Sequence, residues 1–396
     1  MNNLKILSKI CLLFFIFVVV NYFYIGVTTV PTEGDSIGYH IPIAKAYLNG
    51  TIFNPEKIAG SPFLSYSPGA SEGILSLFYL FHIPANLFNV LGVVLLFFSC
   101  FYLGIRYKLG TDLSIIFASS IATLNGVVRW LDTQIIDIYL ATFFVLSLAL
   151  LQKPEKKVSY FLKLGIVMGM LLGSKYSGLL FVLVLFLVYG KSLYKYLSER
   201  GATAFAIPFT IFGLFWYLRN LVFTDNPMYP QGFLFFKDHG FKILDLQVWK
   251  VMNGSLYGLI GTINAFISEY MIWGLSIPIV FYFIYKRVSI LFPFIIVGIL
   301  NVSIYLNLPS DNKDYIMTSV MRYSYPAFIP FILGLFLLAQ RYVKEETLAV
   351  VAIVNMMFVG FPLIYNPKLV FVVAPIALAI FWSDSTSTIR GYINRK

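Results

Sequence analysis

The first candidates for a functional site are charged residues at the ends of apolar runs. An ionisable side chain at membrane depth is costly and is therefore a functional candidate by default. Each of these residues lies at the edge of an apolar segment, and together they predict a cavity for a substrate with a negative head group and an apolar tail: Asp35, Asp137, Lys175, Arg219 and Arg322.

The acids of the first such stretch have two interpretations. The segment TEGDSIGYH lies directly after a long apolar run and contains Glu33, Asp35, Ser36 and Tyr39. Acids in a solvated loop often cap the helix that follows, which needs no further function. The alternative is a carboxylate held at the mouth of a membrane cavity.

Asp137 and Lys175 also leave alternatives open. Asp137 stands just inside the run IIDIYLATFFVLSLALL, so it has either a role in a site or a buried pairing with Arg129 or Lys175. Lys175 interrupts a long apolar run after Gly173. It either extends its ammonium group to the membrane surface or binds an anion such as a lipid phosphate, helped by backbone N–H groups freed at the break.

Several function classes lack their motifs. The histidines are scattered at His40, His82 and His239, so no zinc site is predicted. No phosphate-binding GxxxxGK[ST] loop or dinucleotide fingerprint occurs. The net charge of +11 is interpreted as a topology signal, because Lys and Arg concentrate in alternate loops, and no nucleic acid partner is expected.

The elements that position these residues are predicted to be transmembrane helices. Hydrophobic residues make up 59% of the chain, charged residues 12%, and the mean hydropathy is +0.81. A soluble domain is about half apolar and a quarter charged, so the excess must face lipid. Apolar blocks of spanning length predict an all-α integral membrane bundle with about 12 spans. The predicted spans are 9–29, 84–104, 112–128, 133–151, 159–173, 176–190, 202–220, 268–285, 288–307, 325–340, 346–363 and 367–382.

We predict one transmembrane domain over 1–396, with no soluble C-terminal domain. If Lys5 and Lys9 are cytoplasmic, the basic loops alternate and both termini lie inside. The longer segments 30–83, 221–255 and 308–324 then lie outside, where chemistry is expected. In 30–83, Pro42 suits a first helical turn and Asn49-Gly50 a helix end, which predicts a short interfacial helix.

These motifs resemble the GT-C superfamily of membrane glycosyltransferases, particularly the branch of dolichyl-phosphate-mannose protein mannosyltransferases and bacterial aminoarabinose transferases. GDSIGYHIPIAKAYLNG resembles the acidic motif and interfacial helix that follow the first span there, and IIDIYLATFF resembles the second acidic site. SKYSGLL, FWYLRNLVFTDNPMYP and RYSYP resemble later motifs of the family. The resemblance runs from residue 1 to about 340.

The resemblance implies inverting transfer of a sugar from a polyprenyl-phosphate donor to an acceptor lipid, glycan or protein. Asp35 would be the general base and Asp137 the second catalytic acid, while the cations Lys175, Arg219 and Arg322 would stabilise the leaving phosphate. Tyr39 and Glu72 would contact substrate. The partners would be the lipid donor, membrane lipids and the acceptor, in a bacterial plasma membrane with the active site on the non-cytoplasmic side.

Two departures leave details open. Asp35 is followed by Ser36 instead of a second acid, and YSPGASEG stands where the family often has Lys-Pro-Pro, which leaves Glu72 there. The donor, the acceptor and any divalent metal ion therefore stay undetermined; no residue pattern requires a metal.

Two other functions remain as alternatives. A flippase or transporter for lipid-linked sugar usually has two similar halves with broken spans at matching positions, and here only the break at Gly173 is clear. An oligosaccharide polymerase or ligase also has about 12 spans, but usually carries its long outer loop late in the chain, whereas here the longest is the first.

Overall fold

The structure is a computed structural model and describes residues 3–58, 60, 63–232, 236, 241–242, 266, 269–285, 292–306 and 321–358. Within these residues the regular structure is almost entirely helical, with a single pair of two-residue strands. The prediction of an all-α polytopic membrane protein is confirmed.

The helices are numbered in chain order over the described residues. They are α1 (Asn3–Thr28), α2 (Ile41–Leu48), α3 (Ala70–Leu80), α4 (Phe88–Arg106), α5 (Thr111–Ala122), α6 (Asn125–Val128), α7 (Asp137–Leu151), α8 (Val158–Ser174), α9 (Tyr176–Tyr194), α10 (Glu199–Phe209), α11 (Phe215–Thr224), α12 (Ser276–Tyr285), α13 (Pro293–Leu306), α14 (Tyr325–Tyr342) and α15 (Glu345–Met357).

Short irregular helices and two strands complete the described elements. The π-helical turns are Ser36–His40 and Thr210–Leu214. Strands β1 (Gln231–Gly232) and β2 (Phe241–Lys242) pair in parallel. The 3-10 turns are Thr51–Phe53, Pro55–Lys57, Leu64–Tyr66, Ala85–Leu87, Met271–Leu275 and Met321–Ser324.

Among the described residues, 5 helical stretches are long and apolar enough to cross a membrane unaided: Asn3–Thr28, Ala85–Arg106, Tyr176–Tyr194, Glu199–Thr224 and Met321–Tyr342. Shorter apolar helices lie between them. Each predicted span overlaps a helix except 367–382, which lies outside the described residues.

Helix α1 illustrates why this fold needs a membrane. Its outward side chains include Phe17 at 67%, Val20 at 60% and Phe23 at 53% exposure. A helix that turns so many large apolar groups away from the protein is stable only where lipid replaces water. The opposite face of α1 packs on α5 and α15.

The predicted features of the first outer segment are present. Helix α2 begins with Pro42 in its first turn and ends at Leu48, and Gly50 takes a positive φ of 73° just beyond it. Glycine is the residue that adopts this conformation without strain, so it stops the helix. The segment also contains α3, which the sequence interpretation did not identify as a helix.

The apolar run 159–190 is broken as predicted. Helix α8 ends at Ser174, α9 begins at Tyr176, and Lys175 between them is extended, with φ −159° and ψ 154°. The break places the Lys175 side chain at the meeting point of two helix ends.

Candidate functional site

Four of the charged residues singled out from the sequence meet in one network. Arg322 donates from Nη2 to Asp35 Oδ2 at 2.6 Å, and its Nε lies 3.3 Å from Asp137 Oδ2. Lys175 donates from Nζ to Asp137 Oδ1 at 2.9 Å. The network thus alternates carboxylates and cations that come from separate parts of the chain.

The network runs from a buried end to an open end. The Asp137 and Arg322 side chains are 3% and 5% exposed, Lys175 is 24% exposed and Asp35 is 42% exposed. Buried charges are tolerated when each meets an opposite charge and hydrogen-bonding partners. Asp35 is therefore the carboxylate of this network that an incoming molecule can reach most easily.

Aromatic rings line the two cations. Lys175 Nζ lies 3.7 Å from the centroid of the Tyr323 ring. The Arg322 guanidinium lies 5.2 Å from the same ring and 5.1 Å from the Trp130 ring. Ring faces attract cations and hold them without satisfying their hydrogen-bond donors. Both cations keep the capacity to bind an anion.

Both cations are nevertheless paired with carboxylates. Of the two partners considered for Asp137, Lys175 is confirmed. Arg129 is not a partner of Asp137; it forms a salt bridge with Glu269. Arg322, which the sequence did not suggest as a partner, supplies the second cation instead.

Local geometry explains how Asp35 is held. The Glu33 carboxylate accepts hydrogen bonds from the backbone N–H groups of Asp35, at 3.0 Å, and of Ser36, at 2.6 Å. It also accepts from the Ser36 hydroxyl at 2.7 Å, and that hydroxyl accepts from the Gln134 N–H at 3.0 Å. Glu33 therefore caps the turn, and Ser36 ties it to the segment that leads into Asp137.

The other charged members lie at element ends. Asp137 is the first residue of α7, where the partial positive charge of a helix N-terminus favours a carboxylate. Arg322 lies in the 3-10 turn that precedes α14. Rigid helix ends are suited to hold such groups at fixed separations.

Arg219 lies apart from this network. Its guanidinium donates to the backbone carbonyl of Ile52 at 3.2 Å, to that of Ser65 at 3.3 Å and to the Asn220 side chain. It also lies 4.9 Å from the Trp216 ring. These contacts fasten the loop after α2 to α11, and Arg219 is only 5% exposed.

Glu72 and Tyr39 both contact His40, for which the sequence analysis predicted no role. Glu72 Oε1 is 2.7 Å from His40 Nδ1, and both side chains are fully buried. The Tyr39 and His40 ring centroids are 4.0 Å apart. Burial raises the pKa of Glu72 to about 8 and lowers the pKa of His40 well below its ordinary value. The sequence carries no local signal for this pair, because His40 and Glu72 meet only when α3 folds back.

Within the described residues, no group of three or more His, Cys, Asp and Glu side chains is arranged to hold a metal ion. The network itself offers two carboxylates, one ammonium group and one guanidinium group.

Comparisons with known proteins bear on the fold. No protein-family model and no curated protein matches the chain. Solved structures do match. One is ArnT from Cupriavidus metallidurans in the apo state, with 13% identity and a TM-score of 0.55, covering 93% of this chain and 77% of that one. The same protein bound to undecaprenyl phosphate gives 14% identity and a TM-score of 0.56, covering 94% and 76%.

The similarity extends over most of the chain at low sequence identity, so it concerns the fold. ArnT is an aminoarabinose transferase of the GT-C type. The sequence resemblance predicted a fold of this kind, and the similarity to ArnT over most of the chain confirms that fold.

Proposed function

We propose that this chain is an inverting glycosyltransferase that moves a sugar from a polyprenyl-phosphate donor to an acceptor lipid, glycan or protein. The observation that carries the proposal is the network of Asp35, Asp137, Lys175 and Arg322 in a chain with the fold of ArnT. It combines two cations for a phosphate with an accessible carboxylate for a proton.

In the proposed step, an acceptor hydroxyl or amine attacks the anomeric carbon of the donor sugar. Its proton passes to the Asp35 carboxylate while the new bond to the sugar forms. The bond between the anomeric carbon and the phosphate oxygen breaks, and the lipid phosphate leaves with the electron pair. Lys175 and Arg322 stabilise the charge on that oxygen.

The ion pairs explain how one site can serve both substrates. The formal charges of the four residues cancel, so a phosphate must displace carboxylates from the cations. When it binds Arg322, the Arg322–Asp35 hydrogen bond of 2.6 Å is released and Asp35 becomes free to accept a proton. The ArnT structure bound to undecaprenyl phosphate supports a lipid phosphate as the anion.

The remaining roles and the location are part of the same proposal. Asp137 orients Lys175 and Arg322 and is the second catalytic acid. Tyr39 is expected to contact the substrate, whereas Glu72 is fully buried against His40 and is not proposed to do so. Arg219 would contact the phosphate only after giving up a hydrogen bond to a backbone carbonyl group. The chain lies in a bacterial plasma membrane with 30–83 on the non-cytoplasmic side, which presents the site to lipid-linked sugars.

Mass spectrometry of polyprenyl-linked sugars and envelope glycans, in cells with and without the protein, tests the function. Loss of the protein should leave a polyprenyl-phosphate sugar in excess and remove one sugar from a glycan, lipid or protein. Restoring the wild-type chain should reverse both changes. Unchanged glycans together with a donor trapped on one side of the membrane would point to a transporter.

The role of the cations can be tested separately by binding. Lys175→Ala and Arg322→Ala should each weaken binding of undecaprenyl phosphate by about tenfold, because each removes a charge-assisted contact to the phosphate. Lys191→Ala, an exposed lysine near the far end of α9, is the control and should bind normally. Binding is measured in detergent by the intrinsic tryptophan fluorescence of folded protein. Equal affinity in all four proteins would contradict the assignment.

A further inference from the structure

A buried pair of titratable side chains lies beside the charged network, and the proposed transfer step uses neither as acid or base. His40 and Glu72 are both 0% exposed, and one hydrogen bond of 2.7 Å joins them. Within the described residues, their other polar atoms, His40 Nε2 and Glu72 Oε2, have no hydrogen-bond partner. Burying such groups is costly, so a pair that persists there requires an explanation.

The pair connects the elements that carry opposite members of the network. His40 is the last residue of the π-helical turn that begins directly after Asp35. Glu72 lies on α3, and its neighbour Ser71 forms a hydrogen bond of 2.6 Å with Ser174, the residue before Lys175. A continuous path of two side-chain hydrogen bonds therefore runs from the Asp35 turn, through α3, to the break that carries Lys175.

We propose that His40 and Glu72 are positioning residues: a neutral, proton-sharing pair that fixes the Asp35 turn against the helix end that carries Lys175. The proposal rests on the proposed function, since the spacing of Asp35 and Lys175 matters only if they act on one substrate. Neither residue of the pair needs to touch the substrate.

Burial of the pair favours this neutral form. Burial dominates, raising the pKa of Glu72 to about 8 and lowering that of His40. Lys175 and Arg322 further lower the pKa of His40, while for Glu72 Lys175 acts to lower it and Asp137 to raise it. The phenols of Tyr39 and Tyr47 also lie nearby. At neutral pH the protonated Glu72 therefore donates to Nδ1 of an uncharged His40.

A proton held in this way links stability to pH with a defined sign. The pKa of Glu72 is raised from 4.5 to about 8, so the folded chain keeps a proton that the unfolded chain loses. Its contribution to stability is full below pH 4.5 and is lost as the pH rises through about 8. Glu72→Gln should abolish this dependence, because its amide cannot titrate and still donates a hydrogen bond to Nδ1.

The experiment compares thermal unfolding of the full chain in detergent from pH 5 to pH 9. Relative to Glu72→Gln, the midpoint of the wild type should fall by roughly 3 °C or more across this range. Glu56→Gln, an exposed acid in the same outer segment, should follow the wild type. Parallel curves for the wild type and Glu72→Gln would overturn the proposal.

Transfer kinetics separate positioning from binding. His40→Ala should lower kcat about tenfold and leave KM for the lipid donor within about twofold, because misplacement affects the reacting geometry. Glu72→Gln, which keeps the hydrogen bond, should retain most of kcat at neutral pH. A raised KM with unchanged kcat would place the pair in donor binding and overturn the positioning role. If neither the wild type nor the variants transfer sugar, the proposed function fails. The unfolding comparison would still decide whether His40 and Glu72 share a proton.

Discussion

Asp35 and Glu33 are close in sequence but their carboxylates have different surroundings. Glu33 is occupied by hydrogen bonds from the turn that it caps. Asp35 contacts Arg322 and is the most exposed member of the charged network. Both interpretations drawn from the sequence are therefore represented in the structure, one by each acid: a helix-capping carboxylate and a carboxylate at the open end of a charged site.

This difference leads to a prediction for the catalytic base. Asp35→Asn keeps the shape of the side chain but removes the proton acceptor, so turnover should fall by at least ~10²-fold. Binding of undecaprenyl phosphate should be retained or become tighter, because the cations hold the phosphate and the Asp35 charge no longer competes for Arg322. Single-turnover transfer assays and equilibrium binding on the same preparation measure the two effects.

Glu33→Gln is the matched comparison for Asp35→Asn. It should cost about 1 kcal/mol of stability through the weakened cap, with only a mild loss of turnover. A larger catalytic loss in Glu33→Gln than in Asp35→Asn would move the base to Glu33. Near-normal turnover in both variants would remove these acids from the chemistry.

The residues of the site could be selected from the sequence, whereas most of their partners could not. Charged groups in apolar runs are visible by composition alone, and so Asp137, Lys175 and Arg322 stand out. Pairing depends on which helix ends meet, and that information is not local. Arg129 therefore looked like a partner for Asp137 but pairs with Glu269, and His40 looked isolated but pairs with Glu72.

At the level of elements, a stripe of glycines brings two helices into close contact. Gly165, Gly169 and Gly173 recur every fourth residue on α8 and face the stretch Glu199–Thr224. A methyl group on Gly169 would come within 2.9 Å of the Pro208 carbonyl oxygen and 3.0 Å of Phe209 Cα. Small residues at this spacing allow transmembrane backbones to approach closely. This packing helps to place Lys175, which lies just beyond the end of α8.

Glycine substitutions should therefore have opposite effects at two positions. Gly169→Ala must push the helices apart and should lower the unfolding midpoint by several degrees, consistent with the ~1–3 kcal/mol typical of overpacking. Gly190→Ala on α9 meets nothing within 4 Å and should stabilise slightly, because alanine favours the helix. Thermal unfolding in detergent measures both. A harmless Gly169→Ala would mean that the two helices do not pack as described.

The sequence predicted the breaks between elements better than their packing. Pro42, Asn49-Gly50 and the Gly173–Lys175 stretch act through local backbone preferences, and the elements begin or end there. Helix α3 was missed because its 11 residues are too few to span a membrane and merge with the surrounding segment. The glycine stripe was also missed, since its meaning depends on the neighbouring helix.

For the whole molecule, the contrast between outer and inner helices matches a bundle in lipid. The most hydrophobic stretch of Asn3–Thr28 is only 22% buried, whereas that of Met321–Tyr342 is 83% buried. The stretch Met321–Tyr342, which begins with the turn that contains Arg322, is therefore inside the bundle, whereas α1 faces outward. With a net charge of +11, the basic loops then determine which side of the membrane each end of the bundle faces.

Orientation is the last prediction, and cysteine labelling in intact cells tests it. Lys57 and Ser192 are both exposed; we place Lys57 outside, in the segment 30–83, and Ser192 in a cytoplasmic loop. A membrane-impermeant maleimide should label Lys57→Cys and spare Ser192→Cys until the cells are opened. The native Cys11 and Cys100 are buried, so background labelling should be low.

The result also constrains the chemistry, because the charged network lies beside the first outer segment. A permeant maleimide is the control and should label both variants, which shows that each cysteine is reactive. Labelling of Ser192→Cys but not Lys57→Cys from outside would reverse the orientation. The network would then face the cytoplasm, and the donor would have to be a lipid-linked sugar presented on that side of the membrane.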